Sequence, residues 1–238
     1  RARHVFLASS AAVYAPGADL DEAAAVEPPS AYGRIKRAME RAALDWHALH
    51  ADTGLTILRI GNVAGADALL GGAGLAQLAA SGGHGALGAG TAQPVPAPDP
   101  PPDRPVTADR PGSALRRVPC TATPPAPITL DPVAGAPLGP LRSYIGPVTL
   151  SAVLARLAIM AAAGAPLPVV LNVAAPRPVA MGALLEAAGL PWAFGAPDPA
   201  VLPCVTLDTR CLQALVRLPP NASQPRAMVA EWRNLAFP

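Results

Sequence analysis

The sequence predicts an α/β protein built on a doubly wound parallel sheet. Three observations lead there. A strand, a helix and a second strand follow one another within residues 4–60. A Gly- and Pro-rich stretch then interrupts the pattern, and strand–helix alternation resumes from Ile128 onward. Strands separated by helices pair in parallel, because a parallel neighbour needs a long crossover connection.

The first strand is His4 to Ser9, a short apolar run with a β-branched and an aromatic residue. Ser9 and Ser10 stand at its carboxyl end, where open α/β sheets bind their ligands. Pro16 to Pro29 reads as a polar, acidic loop. Pro28-Pro29 and Ser30 mark a helix start, with Ser30 as N-cap. Ile35, Met39, Ala42, Trp46 and Leu49 recur at helical spacing as one apolar stripe. Gly54 is the expected C-terminal cap. Leu55 to Ile60 is the second strand, and Gly61 to Gly65 the turn after it.

From Gly71 the character changes. Eight Gly lie between Gly71 and Gly90 and twelve Pro between Pro94 and Pro127, with no apolar period. Residues 71–127 therefore read as a long disordered insertion. It divides residues 1–70 from 128–238. In the second part, Leu141 to Ile145 is strand-like, Ser151 caps a helix through Ala163, and residues 169–174 form a late sheet strand. A short helix spans Val179 to Ala188. Val205 to Leu207 is a strand, and Asp208 caps the helix after it. Ser223, with Pro225 just inside, opens the last helix.

Composition excludes several classes. The 238 residues are 51% apolar, enough for a sizeable core even though Ala, Gly and Pro inflate the figure. The net charge is +2 and no face or run collects Arg, so no nucleic-acid partner is expected. Leu150 to Ala175 is the richest apolar stretch, but Arg156, Gly164, Pro166 and Pro168 break it, so no membrane span is expected. The apolar run from Val5 is too short for a signal-peptide core, so no signal peptide is expected in these residues. Cys120, Cys204 and Cys211 are odd in number and form no CxxC, which fits unpaired thiols in a reducing cytoplasm. His4, His47, His50 and His84 have no metal-ligand spacing, so no metal is expected.

The candidate chemistry sits on the first helix. Tyr32 and Lys36 are four apart and share a face. Of 18 Lys and Arg residues, Lys36 is the single lysine. An ammonium is a compact point charge, unlike the wide guanidinium fork. A neighbouring cation favours the phenolate, so Lys36 could adapt Tyr32 to proton transfer near neutrality. Ser10 would hold a substrate oxygen against the phenol.

At these residues the chain resembles the extended short-chain dehydrogenase/reductase family, the NAD-dependent sugar-nucleotide epimerases and dehydratases. Ser9-Ser10-Ala11-Ala12-Val13-Tyr14 is similar to the family's serine strand end. Pro29-Ser30-Ala31-Tyr32-Gly33-Arg34-Ile35-Lys36 is similar to its Tyr-x-x-x-Lys helix, and Leu58 to Gly65 to the strand and turn that follow. Arg142-Ser143-Tyr144-Ile145 resembles a run whose Arg binds substrate phosphate, although Gly146-Pro147 depart from the pattern. The resemblance implies a Rossmann-like fold with a small substrate-binding portion in residues 128–238. It implies Ser10, Tyr32 and Lys36 as catalytic residues. NAD or NADP would lie near Ser9, Tyr32, Lys36 and Ile60, and substrate near Asn62 and Arg142. The substrate class implied is a nucleotide sugar, and a homodimer through the Tyr32 helix is a candidate assembly. Ala11 and Ala12 stand where dehydratases carry an Asp-Glu pair, which points to an epimerase or reductase.

The residues leave plainer alternatives open. Ser9 could satisfy backbone at a strand end, Asn62 could be a turn residue, and Arg142 a surface cation. Gly82, Gly83, Gly85 and Gly88 fit Gly-rich phosphate-loop patterns, but no strand precedes them and no helix follows. The family's Gly-rich first turn is otherwise missing, so the expectation is a Rossmann domain lacking its cofactor-binding front half. Such a chain would be inactive on its own. The alternative is a catalytically silent remnant or interaction module on the same scaffold.

Overall fold

A computed structural model describes residues 2–74, 126–198 and 201–236. Most of the 71–127 stretch lies outside these residues, including Gly82, Gly83, Gly85, Gly88, His84 and Cys120. The chain enters as β1 (His4–Ser10), makes a 3-10 turn at Ala11–Val13, and passes through β2 (Gly17–Leu20) into α1 (Ala31–Ala48). β3 (Gly54–Ile60), the short β4 (Asn62–Val63) and a π-helical turn (Ala68–Gly74) follow. The second part contains β5 (Ile128–Leu130), β6 (Leu141–Arg142), β7 (Tyr144–Ile145), α2 (Pro147–Ala162) and β8 (Val170–Val173). β9 (Val179–Ala180), α3 (Met181–Ala187), β10 (Trp192–Phe194), β11 (Cys204–Leu207), α4 (Arg210–Leu215) and α5 (Pro225–Ala236) complete it.

The α/β class stands. The sheet that carries the site is β1-β3-β8, parallel throughout. A second sheet runs β2-β11-β6-β9; of two further parallel pairs, β4-β7 links the two parts and β5-β10 lies within the second. β3 is central and buried on both faces from Leu55 to Arg59, as a strand covered on two sides must be. Leu58, Leu171 and Val173 from the sheet pack with Val153 and Leu157 of α2 and Leu212 of α4. A second core gathers Tyr144, Leu184, Leu185, Met228 and Trp232 around α3 and α5.

Several local expectations are corrected. The Pro16–Pro29 loop contains β2, whose partner β11 lies far along the chain; local periodicity carries no trace of such pairing. Gly54 does not cap α1, which ends at Leu49; it opens β3, where a Cβ would meet the His4 ring at 2.2 Å. Ser151 lies inside α2, which starts earlier because Pro147 needs no N–H partner at a helix start. Val179 and Ala180 belong to β9, so α3 is shorter than read. Thr209, not Asp208, is the N-cap position of α4, although the Asp208 carboxylate accepts from the Arg210 N–H at 2.8 Å. Ser223 lies ahead of α5 and accepts from the Arg177 N–H instead.

The α1 stripe is present but faces outward. Ile35 is 69% exposed and Leu49 82%. The helix buries its opposite side, through Gly33 and Glu40. Glu40 is held there by polar partners in the sheet, described next.

Candidate active site

Ser30 caps α1 as expected, its hydroxyl accepting from the Gly33 N–H at 3.0 Å. The first turn of α1 lies against the 3-10 turn that follows Ser10. A Cβ on Gly33 would come within 2.1 Å of the Ala12 carbonyl oxygen and 2.7 Å of Pro28, so only glycine permits this approach. Gly61 allows a second close approach: a Cβ there would meet the Ser143 carbonyl oxygen at 2.6 Å. The Asn62 N–H donates to that oxygen at 2.8 Å, which ties the end of β3 to β6 and β7.

These approaches bring separated residues to one cleft of about 310 Å³. Ser10, Ala11, Ala12, Tyr32, Asn62 and Arg142 line it, with Ser143, Leu202 and Val205 on the far wall. The Ser10 hydroxyl oxygen accepts from the Ala12 N–H at 3.2 Å, which leaves its proton to donate. Tyr32 is 55% exposed, and the Lys36 Nζ lies 5.8 Å from its ring centroid. Lys36 also donates to the Ala8 carbonyl at 3.0 Å. Ile60 ends β3 directly across from Ser10.

Arg142 projects into the cleft from β6. Its guanidinium donates to the carbonyls of Leu141 and Leu202 at 2.8 and 2.6 Å. It has no ion pair among the described residues. Burial pulls its pKa below the usual guanidinium range, against weaker pulls upward from Tyr144, Cys204 and Asp131. A guanidinium stays charged in proteins, so the cleft holds an unneutralised cation. Beside it, burial pushes the Tyr144 phenol well up, and Asp67 adds to the effect. Burial likewise raises Asp67.

Ser9 faces away from the cleft. It is buried, and its hydroxyl donates to Glu40 Oε1 at 2.6 Å. Glu40 in turn accepts from Arg59 at two oxygens, Nε to Oε1 at 3.1 Å and Nη2 to Oε2 at 2.9 Å. Arg59 Nη1 donates to the Tyr14 hydroxyl at 2.9 Å, and Tyr14 donates to Asn172 Oδ1 at 2.8 Å. The sequence reading missed this network. Its signal was an arginine inside the otherwise apolar run Leu55 to Ile60, and a glutamate on the Tyr32–Lys36 side of α1. Among the described residues no cluster of three His, Cys, Asp or Glu could hold a metal, and no helix is long and apolar enough to cross a membrane.

Comparison with known proteins bears on the fold and on the family. Residues 1–79 match the model of the NAD dependent epimerase/dehydratase family. This is the family that the serine strand end and the Tyr32–Lys36 helix resemble. No curated protein sequence matches the chain. Solved structures share the fold at low identity. MoeE5, in complex with UDP-glucuronic acid and NAD, is 19% identical, with a TM-score of 0.60 over 98% of this chain and 66% of its own. The UDP-glucose 4-epimerase of Thermus thermophilus, in complex with NAD, is 19% identical, with a TM-score of 0.59 over 97% and 64%. An NAD dependent NDP-hexosamine 5,6-dehydratase of tunicamycin biosynthesis is 16% identical, with a TM-score of 0.60 over 98% and 63%. The chain thus spans slightly under two thirds of the length of these structures.

Proposed function

We propose that this chain carries the proton-transfer and substrate-binding side of an NAD(P)-dependent epimerase or reductase acting on a nucleotide sugar. The observation that carries the reading is the meeting of Ser10, Tyr32, Asn62 and the unneutralised Arg142 in one cleft. Ser10 donates a hydrogen bond to a substrate oxygen and holds it near the Tyr32 phenol. Tyr32 then exchanges a proton with that oxygen, and Lys36 places positive charge beside it. Arg142 takes the diphosphate, a task suited to a forked donor. Asn62 supplies both a donor and an acceptor to the sugar. Ala11 and Ala12 offer no acid or base, so water elimination is not supported.

A nicotinamide cofactor would supply the hydride exchange at the carbon bearing that oxygen. The residues present fit its nicotinamide and ribose end. Lys36 spends one donor on Ala8 and keeps others for a diol, and the Tyr32 hydroxyl makes no hydrogen bond among the described residues. The known structures of like fold were obtained with NAD, which supports the same cofactor here. The test is turnover of UDP-glucose with NAD, followed for the wild type and Tyr32→Phe. Tyr32→Phe should lose turnover at least about a hundredfold while nucleotide binding persists. Equal turnover in the two proteins would sink the assignment.

The outward apolar stripe of α1 supports a homodimer, in which a second copy covers Ile35 and Leu49. Sedimentation of the wild type and Ile35→Glu should show a dimer and a monomer; a wild-type monomer would end this reading. The same exposed face supports the second function reading, an interaction module without turnover. Free Cys204 and Cys211 fit a cytoplasmic setting.

A further inference from the structure

We propose that Ser9, Glu40 and Arg59 form a positioning clamp that sets Tyr32 and Lys36 against Ser10; the proposal rests on the proton-transfer reading of that cleft. The register of the sheet carries it. Ser10 pairs with Ile60, and Ile60 with Val173, across the three strands at the level of the cleft. One residue back, Ser9 pairs with Arg59, and Arg59 with Asn172. Successive side chains on a strand point to opposite faces. The two levels therefore face opposite ways: Ile60 and Val173 turn into the apolar core under α2, with Ser10 alone reaching the cleft at the strand end, and the preceding level, Ser9, Arg59 and Asn172, is polar and buried.

Into that buried row α1 inserts Glu40, which is fully buried. Its carboxylate bridges two strands, taking the Ser9 hydroxyl from β1 and the Arg59 fork from β3. A bidentate fork fixes direction as well as distance. One helical turn before Glu40, Lys36 bonds the Ala8 carbonyl; one turn before that stands Tyr32. Eight residues of helix place Tyr32 about 12 Å from the clamp on a rigid rod. A one-residue slip of α1 would move it by about 1.5 Å and turn it by about 100°. Displacement by about 1 Å is enough to cost a reaction two orders of magnitude.

An ion pair in such a place is a poor choice for stability alone. Apolar residues of similar volume are often as stable or more so in place of a buried pair. They cannot specify the height and rotation of a helix over a sheet as this fork does. The row continues through Tyr14 to Asn172, so the same network spans all three strands.

The test separates position from stability. Replace both charges together, Glu40→Met with Arg59→Met, in the chain of residues 1–238 carrying 3-fluorotyrosine. The chain has three tyrosines, and Tyr32→Phe assigns the Tyr32 fluorine line. The clamp predicts a folded double variant whose kcat for UDP-glucose falls at least about tenfold, while KM moves less than about threefold. The Tyr32 line should shift or broaden while that of Tyr144 stays. A folded double variant with wild-type kcat and an unmoved Tyr32 line overturns the clamp. If the double variant does not fold, Ser9→Ala decides, with the same change in smaller measure expected and no change contradicting. If the wild type does not turn over UDP-glucose, the functional reading fails, yet the fluorine line still decides whether the clamp positions Tyr32.

Discussion

Arg59 and Arg142 are both drawn out of water, and they end in opposite electrostatic states. At Arg59 burial pulls the pKa down, but the hydrogen bonds it donates to Glu40 and Tyr14 outweigh it and leave the guanidinium above its usual range. At Arg142 burial wins, because the groups that pull upward, Tyr144, Cys204 and Asp131, are not ion-pair partners. One cation is neutralised by the protein itself. The other is half-buried, bonded only to carbonyls, and open to a cleft. A folded chain that leaves a half-buried cation without an acid leaves room for an anion from outside.

The largest expected effect sets the two against each other. Arg59→Ala leaves the buried Glu40 carboxylate with only the Ser9 hydroxyl and the longer Arg37 contact at 3.4 Å, and should cost about 3–5 kcal/mol of stability, read by urea denaturation. Arg142→Ala should change stability by less than about 1 kcal/mol and instead weaken UDP binding, read by calorimetry. Equal stability losses in the two variants would remove the distinction.

How much of this was legible in the sequence follows from the range of each interaction. β1, α1, β3 and β8 announce themselves through local apolar runs and a Ser30 cap, and the structure has them with small shifts of boundary. Ser10, Tyr32 and Lys36 were legible because strand ends and a four-residue helical spacing are local patterns; Asn62 and Arg142 were suggested only by the family resemblance. β2 was not, because its partner β11 is almost the whole chain away. The α1 stripe was read correctly as a stripe, yet periodicity cannot say which face of a helix meets the sheet. Glu40 decided that, and a buried carboxylate looks in sequence like a surface one until Arg59 is placed opposite it. Ser9 illustrates the same limit: beside Ser10 in sequence, it serves the buried row rather than facing the cleft.

A smaller effect sharpens the boundary between clamp and cleft. Gly33→Ala places a methyl where 2.1 Å separates it from the Ala12 carbonyl oxygen. The overpacking should cost about 1–3 kcal/mol. It should also lower turnover, because relief requires the first turn of α1, with Tyr32, to move away from Ser10. Denaturation and kinetics on the same preparation check both, and a stable variant with full turnover would show that the contact does not set the site.

The smallest effect lies at the other end of β1. The His4 ring sits against Phe6, with Nε2 3.1 Å from the Thr56 hydroxyl. Burial, and then the charge of His47, lower its pKa from the ordinary 6.5. The neutral ring is the form the fold accepts. Its contribution to stability is therefore complete above pH 6.5 and is lost as pH falls through the lowered folded value. His4→Gln should flatten the acid limb of a plot of stability against pH, with little change at about pH 8. An unchanged acid limb would place the acid sensitivity elsewhere.

The most direct measurement is a crystal structure of the protein with UDP-glucose bound. The account predicts the diphosphate on Arg142 and a sugar hydroxyl held between Ser10 and Tyr32, within hydrogen-bond reach of both. A diphosphate bound away from Arg142, or a sugar that leaves Ser10 and Tyr32 untouched, would contradict it.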